Sequence, residues 1–442
     1  TPVHWHDETA CSVVLASRGY PEKPESGDPV AGLDRAAARE RVSLFHAGTA
    51  EAGGSIVTSG GRVLNVTATG ANLEEARTRA YEAAGDISFR GCQFRRDIGW
   101  RELARTAGSY AASGVDIDEG NRAVTLLKKK VEATHSAGVL GGIGSFGGAL
   151  DASALKNFEH PVLLGTTDGV GTKVMLASAA GRYTSIGHDI VNHCINDLLV
   201  QGAFPLFFLD YIASSSISAS RIAEIVGGMA EACADAKCVL LGGETAEMPG
   251  VYCPGEFDVA GTMVGAAEKK RLLPRPDLQP GDLLLGLASS GLHTNGYSLA
   301  RKIFRGLPLE ATPAGLDTTL GDALLAPHRS YLGVLRTALD RGLVKALAHL
   351  TGGGVFDNLP RVLPEGCAAD IERAAWPVSP LFRLMADVSG LPDEELFRTF
   401  NMGVGMMMVC DPQDEPALRD AIKEPLFTLG RLIAGPRVVR LY

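Results

Sequence analysis

Apolar residues recur along this chain with two periods, and the switch between them divides it into segments. Residues 11–16 (CSVVLA), 43–48, 55–58 and 62–68 are short β-rich runs broken by glycine, proline and charge, which predicts the strands of a small sheet. Gly60 and Gly61 stand between the last two runs as a hairpin signal. In residues 72–85 the period changes: Leu73, Ala76, Ala80 and Ala83 share one helical stripe behind an Asn72 start, with Glu74 and Glu75 in the first turn. One helix therefore packs on that sheet. The small, polar stretch 103–120 is the best linker, with a boundary near Gly108.

Beyond the linker, the pattern predicts helices at 121–135, 188–201 and 218–236, and strands at 162–165, 206–212 and 239–241. Strands alternating with helices make this region α/β or α+β. Three prolines in 271–280 mark a second boundary. After it come a strand at 282–288, a loop and helix at 292–304, helices around 321–348, a helix after Gly352-Gly353-Gly354, and a Met-rich strand at 402–410. Met406 to Met408 in that strand fit core packing better than a soft-metal site. Three domains are expected: 1–107, 108–275 and 276–442.

Composition narrows the function. At 442 residues the chain is too long for one ordinary core, and 45% hydrophobic with 21% charged residues is a globular balance. A formal charge of -9 removes any broad attraction to nucleic acid or to an anionic membrane surface, though a local site can still hold a small phosphorylated ligand. No apolar run approaches the roughly 18 residues of a membrane span, and the first residues do not open a signal peptide. The eight cysteines are scattered without a C-x-x-C, which argues for reduced thiols, against zinc, and for the cytosol.

Chemistry-bearing residues gather in four loops, each expected at a strand-to-helix junction. The first, Thr166-Thr167-Asp168-Gly169-Val170-Gly171-Thr172-Lys173, lacks P-loop spacing, but an acid beside Gly-x-Gly suits either a Mg²⁺ ligand or a capped turn. In the second, Asp189, His193, Asn196 and Asp197 follow at three- to four-residue steps, so one helical face can carry them into a cleft. His193 taken alone reads as a satisfied structural histidine. The third joins Gly242 and Gly243 to Glu244, Thr245 and Glu247, as a metal or phosphate contact or as a capped turn. The fourth comprises 289–297 (SSGLHTNGY) and 350–354 (LTGGG), both placed to hold a phosphate.

Eight ordered motifs carry a family resemblance: GVDIDEGN (114–121), TTDGVGTK (166–173), GHDIVNHCINDLLVQGAFPLFFLDY (187–211), GGETAEMPG (242–250), SSGLHTNGYSL (289–299), HLTGGG (349–354), LPRVLP (359–364) and RTFNMGVGM (398–406). Over about three quarters of the chain it resembles the phosphoribosylformylglycinamidine cyclo-ligases (AIR synthetases). The resemblance implies a two-domain α/β architecture, a homodimer, and ATP with Mg²⁺ as cofactors. It also implies an activity, in which ATP activates the formyl amide oxygen of formylglycinamidine ribonucleotide and the amidine nitrogen closes the imidazole ring. Carried over by position, it implies ATP contacts at Lys128, Asp168, Gly169, Gly171, Thr172, Lys173, Asp197, Gly242, Gly243, Glu244 and Thr245. Asp168, Asp197 and Glu244 would hold the metal, and His293, Asp168 and Lys128 would be catalytic. Ser290, Gly291, His293, Asn295, Thr351, Gly352, Gly353 and Gly354 would hold the substrate. Leu292 and Thr294 stand where the family pattern leads one to expect proline and serine.

The first hundred residues resemble a different enzyme. ETACSVVLASRGYP (8–21), FHAGT (45–49), VTSGGRVLNVTATG (57–70) and RRDIGW (95–100) are similar to the C-terminal domain of phosphoribosylamine-glycine ligase (GAR synthetase). The likeness ends at Thr1, short of the ATP-grasp part, so an incomplete and inactive portion is expected, with no glycinamide ribonucleotide synthesis from this chain alone. Two alternatives stand beside the cyclo-ligase: another ATP-dependent member of the same superfamily, against which HLTGGG and RTFNMGVGM weigh, and a non-catalytic scaffold.

Overall fold

The computed structural model describes residues 7–106 and 116–442. The chain forms two compact units, Thr1–Ser113 and Gly114–Tyr442, and the boundary expected near Gly108 falls outside the described residues. Both are mixed α/β.

The smaller unit runs β1 (Thr9–Ala16), α1 (Leu33–Ala37), β2 (Val42–His46), β3 (Thr49–Ala52), β4 (Ser55–Thr58), β5 (Arg62–Gly70), α2 (Leu73–Asp86) and α3 (Trp100–Thr106). An antiparallel sheet of order β1-β5-β2 packs Val13, Leu15, Leu64 and Val66 against Ala76, Ala80 and Ala83 of α2. Asn72 caps α2 by accepting from the Glu75 amide at 2.9 Å, while Glu75 accepts from the Ala71 amide at 2.8 Å. The hairpin is not at Gly60-Gly61. It joins β3 to β4 through Gly53 and Gly54, both at positive φ, and β3 escaped notice because its residues, TAEA, carry no β-rich pattern.

The larger unit begins with α4 (Ile117–Glu132), β6 (Pro161–Gly169), α5 (Lys173–Ala180), α6 (Thr184–Leu199), β7 (Phe204–Ser214), α7 (Ala219–Asp235), β8 (Val239–Glu247) and β9 (Phe257–Glu268). Its first sheet has the order β6-β9-β7-β8, with only β7 and β8 parallel. The buried face of that sheet, with Phe208 and Met263, packs against apolar residues of α6 and α7 such as Ile190 and Ile225. The opposite face leaves Leu163 60% and Tyr211 39% exposed.

The chain continues through β10 (Leu283–Ala288), α8 (Tyr297–Ile303), α9 (Leu320–Leu325), α10 (Leu332–Asp340), β11 (Ala346–His349), α11 (Gly354–Asn358), β12 (Cys367–Ile371), α12 (Pro380–Ser389), α13 (Asp393–Thr399), β13 (Val404–Cys410), α14 (Glu415–Ala421), β14 (Phe427–Ala434) and β15 (Val439–Leu441). These strands form a six-stranded sheet of order β11-β13-β10-β14-β12-β15. Met406, Met407 and Met408 are buried in β13, and one continuous core runs through both sheets of this unit.

Several expected boundaries move. Residues 103–106 and 117–120, read as linker, are helical, with Asp116 capping α4 through the Glu119 amide. β11 lies where helix was expected, and β9, β12, β14 and β15 were not anticipated, since their glycines, alanines and charges hide the strand period. β6 and β8 extend through Gly169 and Glu247, so TTDG and GGETAE are strand ends rather than loops. Among the described residues, no helix is long and apolar enough to cross a membrane. All eight cysteines are unpaired.

Candidate functional site

Asp168 and α6 meet at one wall of a cavity of about 650 Å³ inside the larger unit. Register places Asp168 opposite Gly261, near the end of β6 and beside the helix that carries His193 and Asp197. His193 Nε2 lies 3.3 Å from Asp168 Oδ2 and 3.8 Å from Asp197 Oδ2. His349, at the end of β11, brings Nδ1 to 2.8 Å from Asp197 Oδ1. Asn295, Thr351, Asn358 and Arg361 line the same cavity.

The two carboxyl groups titrate apart. Burial, then the neighbouring Asp197, pushes the Asp168 carboxyl up. Burial also works against the Asp197 carboxylate, but the hydrogen bond and charge of His349 outweigh it and hold that group down. Burial, with His349 beside it, pushes His193 down to about 4. Two carboxylates that converge on one histidine nitrogen are a donor set suited to a hard divalent cation, which takes oxygen ligands from one or two carboxylates and from phosphate. Magnesium therefore fits Asp168 and Asp197.

Glu244 does not join them. β6 and β8 are opposite edges of the four-stranded sheet, so Glu244 sits three strands from Asp168, on the order of 14 Å at the usual strand spacing, too far for one ion. Gly242, Gly243, Glu244 and Thr245 do not line the cavity. Gly243 makes room instead for an acid that sequence reasoning passed over: a Cβ there would lie 2.0 Å from Asp210 Oδ1. Asp210 is in register with Asp168 through Gly261, and burial pushes its carboxyl up to about 7. A lone acid inside the apolar run 204–214 was the available signal.

Other expected contacts are placed elsewhere. Lys128 is exposed on α4, with Glu132 at 3.9 Å, and does not line the cavity. Lys173 is completely buried: its ammonium meets Asp189 at 2.8 Å and donates to the carbonyls of Ala326 at 2.8 Å and His293 at 3.2 Å. All three of its protons are used inside the protein, so it has none for a nucleotide. Gly169 ends β6, and Gly171 and Thr172 lie in the turn between β6 and α5, with the Thr172 hydroxyl 3.1 Å from that of Ser298.

His293 is 1% exposed, adopts a left-handed φ of 63°, and lies behind the cavity wall. Its Nε2 accepts from the Ser290 amide at 3.3 Å, and burial holds its basicity well below the ordinary range. It is therefore not placed to exchange a proton with anything in the cavity. Ser290 and Gly291 likewise spend their polar groups within the protein, donating to Pro327 O and accepting from Asn401 at 2.6 and 2.8 Å. Asn295 and Thr351 do face the cavity. Gly352 adjoins Asn295, whereas Gly354 is buried, and a Cβ on it would lie 1.9 Å from Phe397 O. The residues missed, His349, Arg361 and Asn358, come from segments distant in sequence from the acids whose cavity they line.

Comparisons with known proteins follow the same division. Residues 10–101 match the phosphoribosylglycinamide synthetase C domain, 150–267 the N-terminal domain of AIR synthase related proteins, and 279–442 their C-terminal domain. The chain is 47% identical over 336 residues to a phosphoribosylformylglycinamidine cyclo-ligase of Geobacillus thermodenitrificans, covering 97% of that protein and 75% of this one. It is 40% identical to the bifunctional purine biosynthetic protein purD of Dictyostelium discoideum over 98% of its own length, but spans only 55% of that relative. A crystal structure of thiamine-monophosphate kinase from Stenotrophomonas maltophilia shares the fold, with a TM-score of 0.54, 20% identity, and coverage of 72% of this chain and 95% of that one.

Proposed function

Because the chain belongs to the phosphoribosylformylglycinamidine cyclo-ligase family, we propose that its larger unit closes the imidazole ring of 5-aminoimidazole ribonucleotide from formylglycinamidine ribonucleotide, with ATP going to ADP and phosphate. An amide oxygen leaves poorly, so the γ-phosphoryl group of ATP is first transferred to the formyl oxygen. The amidine nitrogen then attacks that carbon, and the oxygen departs as phosphate. The observation that carries this reading is the chemistry of the cavity lining: the carboxylates Asp168 and Asp197 share it with Arg361 and with the amide and hydroxyl groups of Asn295 and Thr351. Arg361 and its neighbours suit the substrate's ribose phosphate. Mg²⁺ held by Asp168 and Asp197 would supply positive charge to the transferring phosphoryl.

The open sheet face supports the homodimer. Leu163 and Tyr211 share the face opposite Asp168, and an exposed apolar sheet surface is what a self-complementary contact uses.

The decisive assay is ADP release with formylglycinamidine ribonucleotide, in the wild type and in Asp168→Asn. The wild type is expected to release ADP only with that substrate, and the variant to lose at least about a hundredfold in kcat. A wild type without substrate-dependent ADP would overturn the reading. An undiminished variant would remove Asp168 from the mechanism.

A further inference from the structure

Four of the ten histidines, His193, His293, His328 and His349, pack together at and behind the cavity wall, with the His193, His328 and His349 rings 5.0–5.2 Å apart. A shared metal ion does not explain the group. His293 stacks on His328 face to face, 4.1 Å apart and 20° from parallel, whereas rings that ligate one ion converge by their edges. Hydrogen-bond bookkeeping explains more, because each imidazole nitrogen is either a donor or an acceptor and its neighbours decide which.

The chain of assignments starts at Asn196. Its Oδ1 accepts from the Tyr331 amide at 3.0 Å and its Nδ2 donates to Arg329 O at 2.8 Å, so the amide has one orientation. The second Nδ2 proton faces His328 Nε2 at 3.1 Å, which makes that nitrogen an acceptor; His349 Nε2 lies 3.0 Å from it. His328 then carries its proton on Nδ1, 3.3 Å from Thr294 Oγ1. With its oxygen accepting there, Thr294 gives its single hydroxyl proton to His193 Nδ1 at 2.7 Å. His193 is left with its proton on Nε2, the atom that faces Asp168 and Asp197 in the cavity.

We propose that Asn196, His328 and Thr294 form a tautomer lock, positioning residues that hold His193 with Nε2–H aimed into the cleft as a fixed donor to an oxygen acceptor. In the free protein that oxygen belongs to Asp168. With substrates bound it is a phosphate oxygen of the nucleotide, an extension that rests on the cyclo-ligase reading. Thr294 is the link to test, since its hydroxyl bridges the two rings.

The lock itself can be read without turnover. In the full chain labelled with ¹⁵N-histidine, two-bond ¹H–¹⁵N spectra separate the two tautomers, and the signals missing from His193→Gln assign the residue. The wild type should show His193 in the Nε2–H form. Thr294→Val, nearly the same shape, should admit the Nδ1–H form, and Thr294→Ser should restore the wild-type spectrum. A wild-type His193 in the Nδ1–H form, or a tautomer unmoved by Thr294→Val, overturns the lock. In the ADP assay, Thr294→Val should lose about tenfold in kcat with KM little changed, and Thr294→Ser should recover it. An unchanged kcat overturns the functional half. A wild type that is silent with formylglycinamidine ribonucleotide counts against the cyclo-ligase reading alone, because the spectra need no substrate.

Discussion

Asp210 shows what a single residue costs when it sits inside a sheet. Its carboxyl, pushed up to about 7 by burial, has an unfolded value near 3.8, so the folded chain binds that proton more tightly than the unfolded chain does. Stability from this group is therefore lost as pH rises from about 4 to 7. Asp210→Asn should be more stable than the wild type at pH 8 by on the order of 2 kcal/mol, with the gap closing as pH falls from about 7 to about 4, in urea titrations with a chelator present. Gly354 is the opposite case, a residue whose lack of a side chain is required. With φ at 55° and Phe397 O in the place of a Cβ, Gly354→Ala should cost about 2 kcal/mol or more in the same titration. Both residues stand in readable motifs, FFLDY and TGGG, yet only the neighbours supplied by β8 and α13 say what each one does.

At the scale of elements, α5, α6 and the two loops around His293 and Ala326 are tied together by one buried pair. Lys173 starts α5, Asp189 lies on α6, and Asp189 Oδ1 also accepts from the His328 amide at 2.7 Å. Lys173→Met should destabilise the chain by roughly 3–5 kcal/mol, because it strands the Asp189 charge. The double variant Lys173→Met/Asp189→Leu should recover part of that loss in denaturation midpoints, and a double variant no better than the single would contradict the pairing. The elements themselves were mostly legible. α2, α6 and α7 were found from their apolar stripes, and β1, β7 and β13 from their runs. β9 and β14 were not, since FDVAGTMVGAAE and FTLGRLIA mix small and charged residues whose burial depends on neighbouring strands.

For the whole molecule, the two units have separate cores, one centred on Val13, Leu64 and Val66 and the other on the α6 and β10 region. Residues 114–442 expressed alone should therefore release ADP with a KM within about twofold of the full chain. A soluble but inactive fragment would give the smaller unit a part in the reaction. The open sheet face makes a second prediction at this scale: Leu163→Arg should shift the chain toward monomer in sedimentation while leaving its circular dichroism unchanged.

The order of motifs by itself determined the family, the mixed α/β class and the helix that bears Asp189, His193, Asn196 and Asp197, because spacing along one helix is a local property that the chain carries wherever it goes. Tertiary structure alone decided which groups share the cleft. It turned Lys173 inward to Asp189, took Glu244 to the far edge of the sheet, put His293 behind the wall, set His349 against Asp197 and brought Arg361 to the same cavity. Those outcomes depend on strand order and on burial across more than a hundred residues of sequence, and no local pattern encodes either.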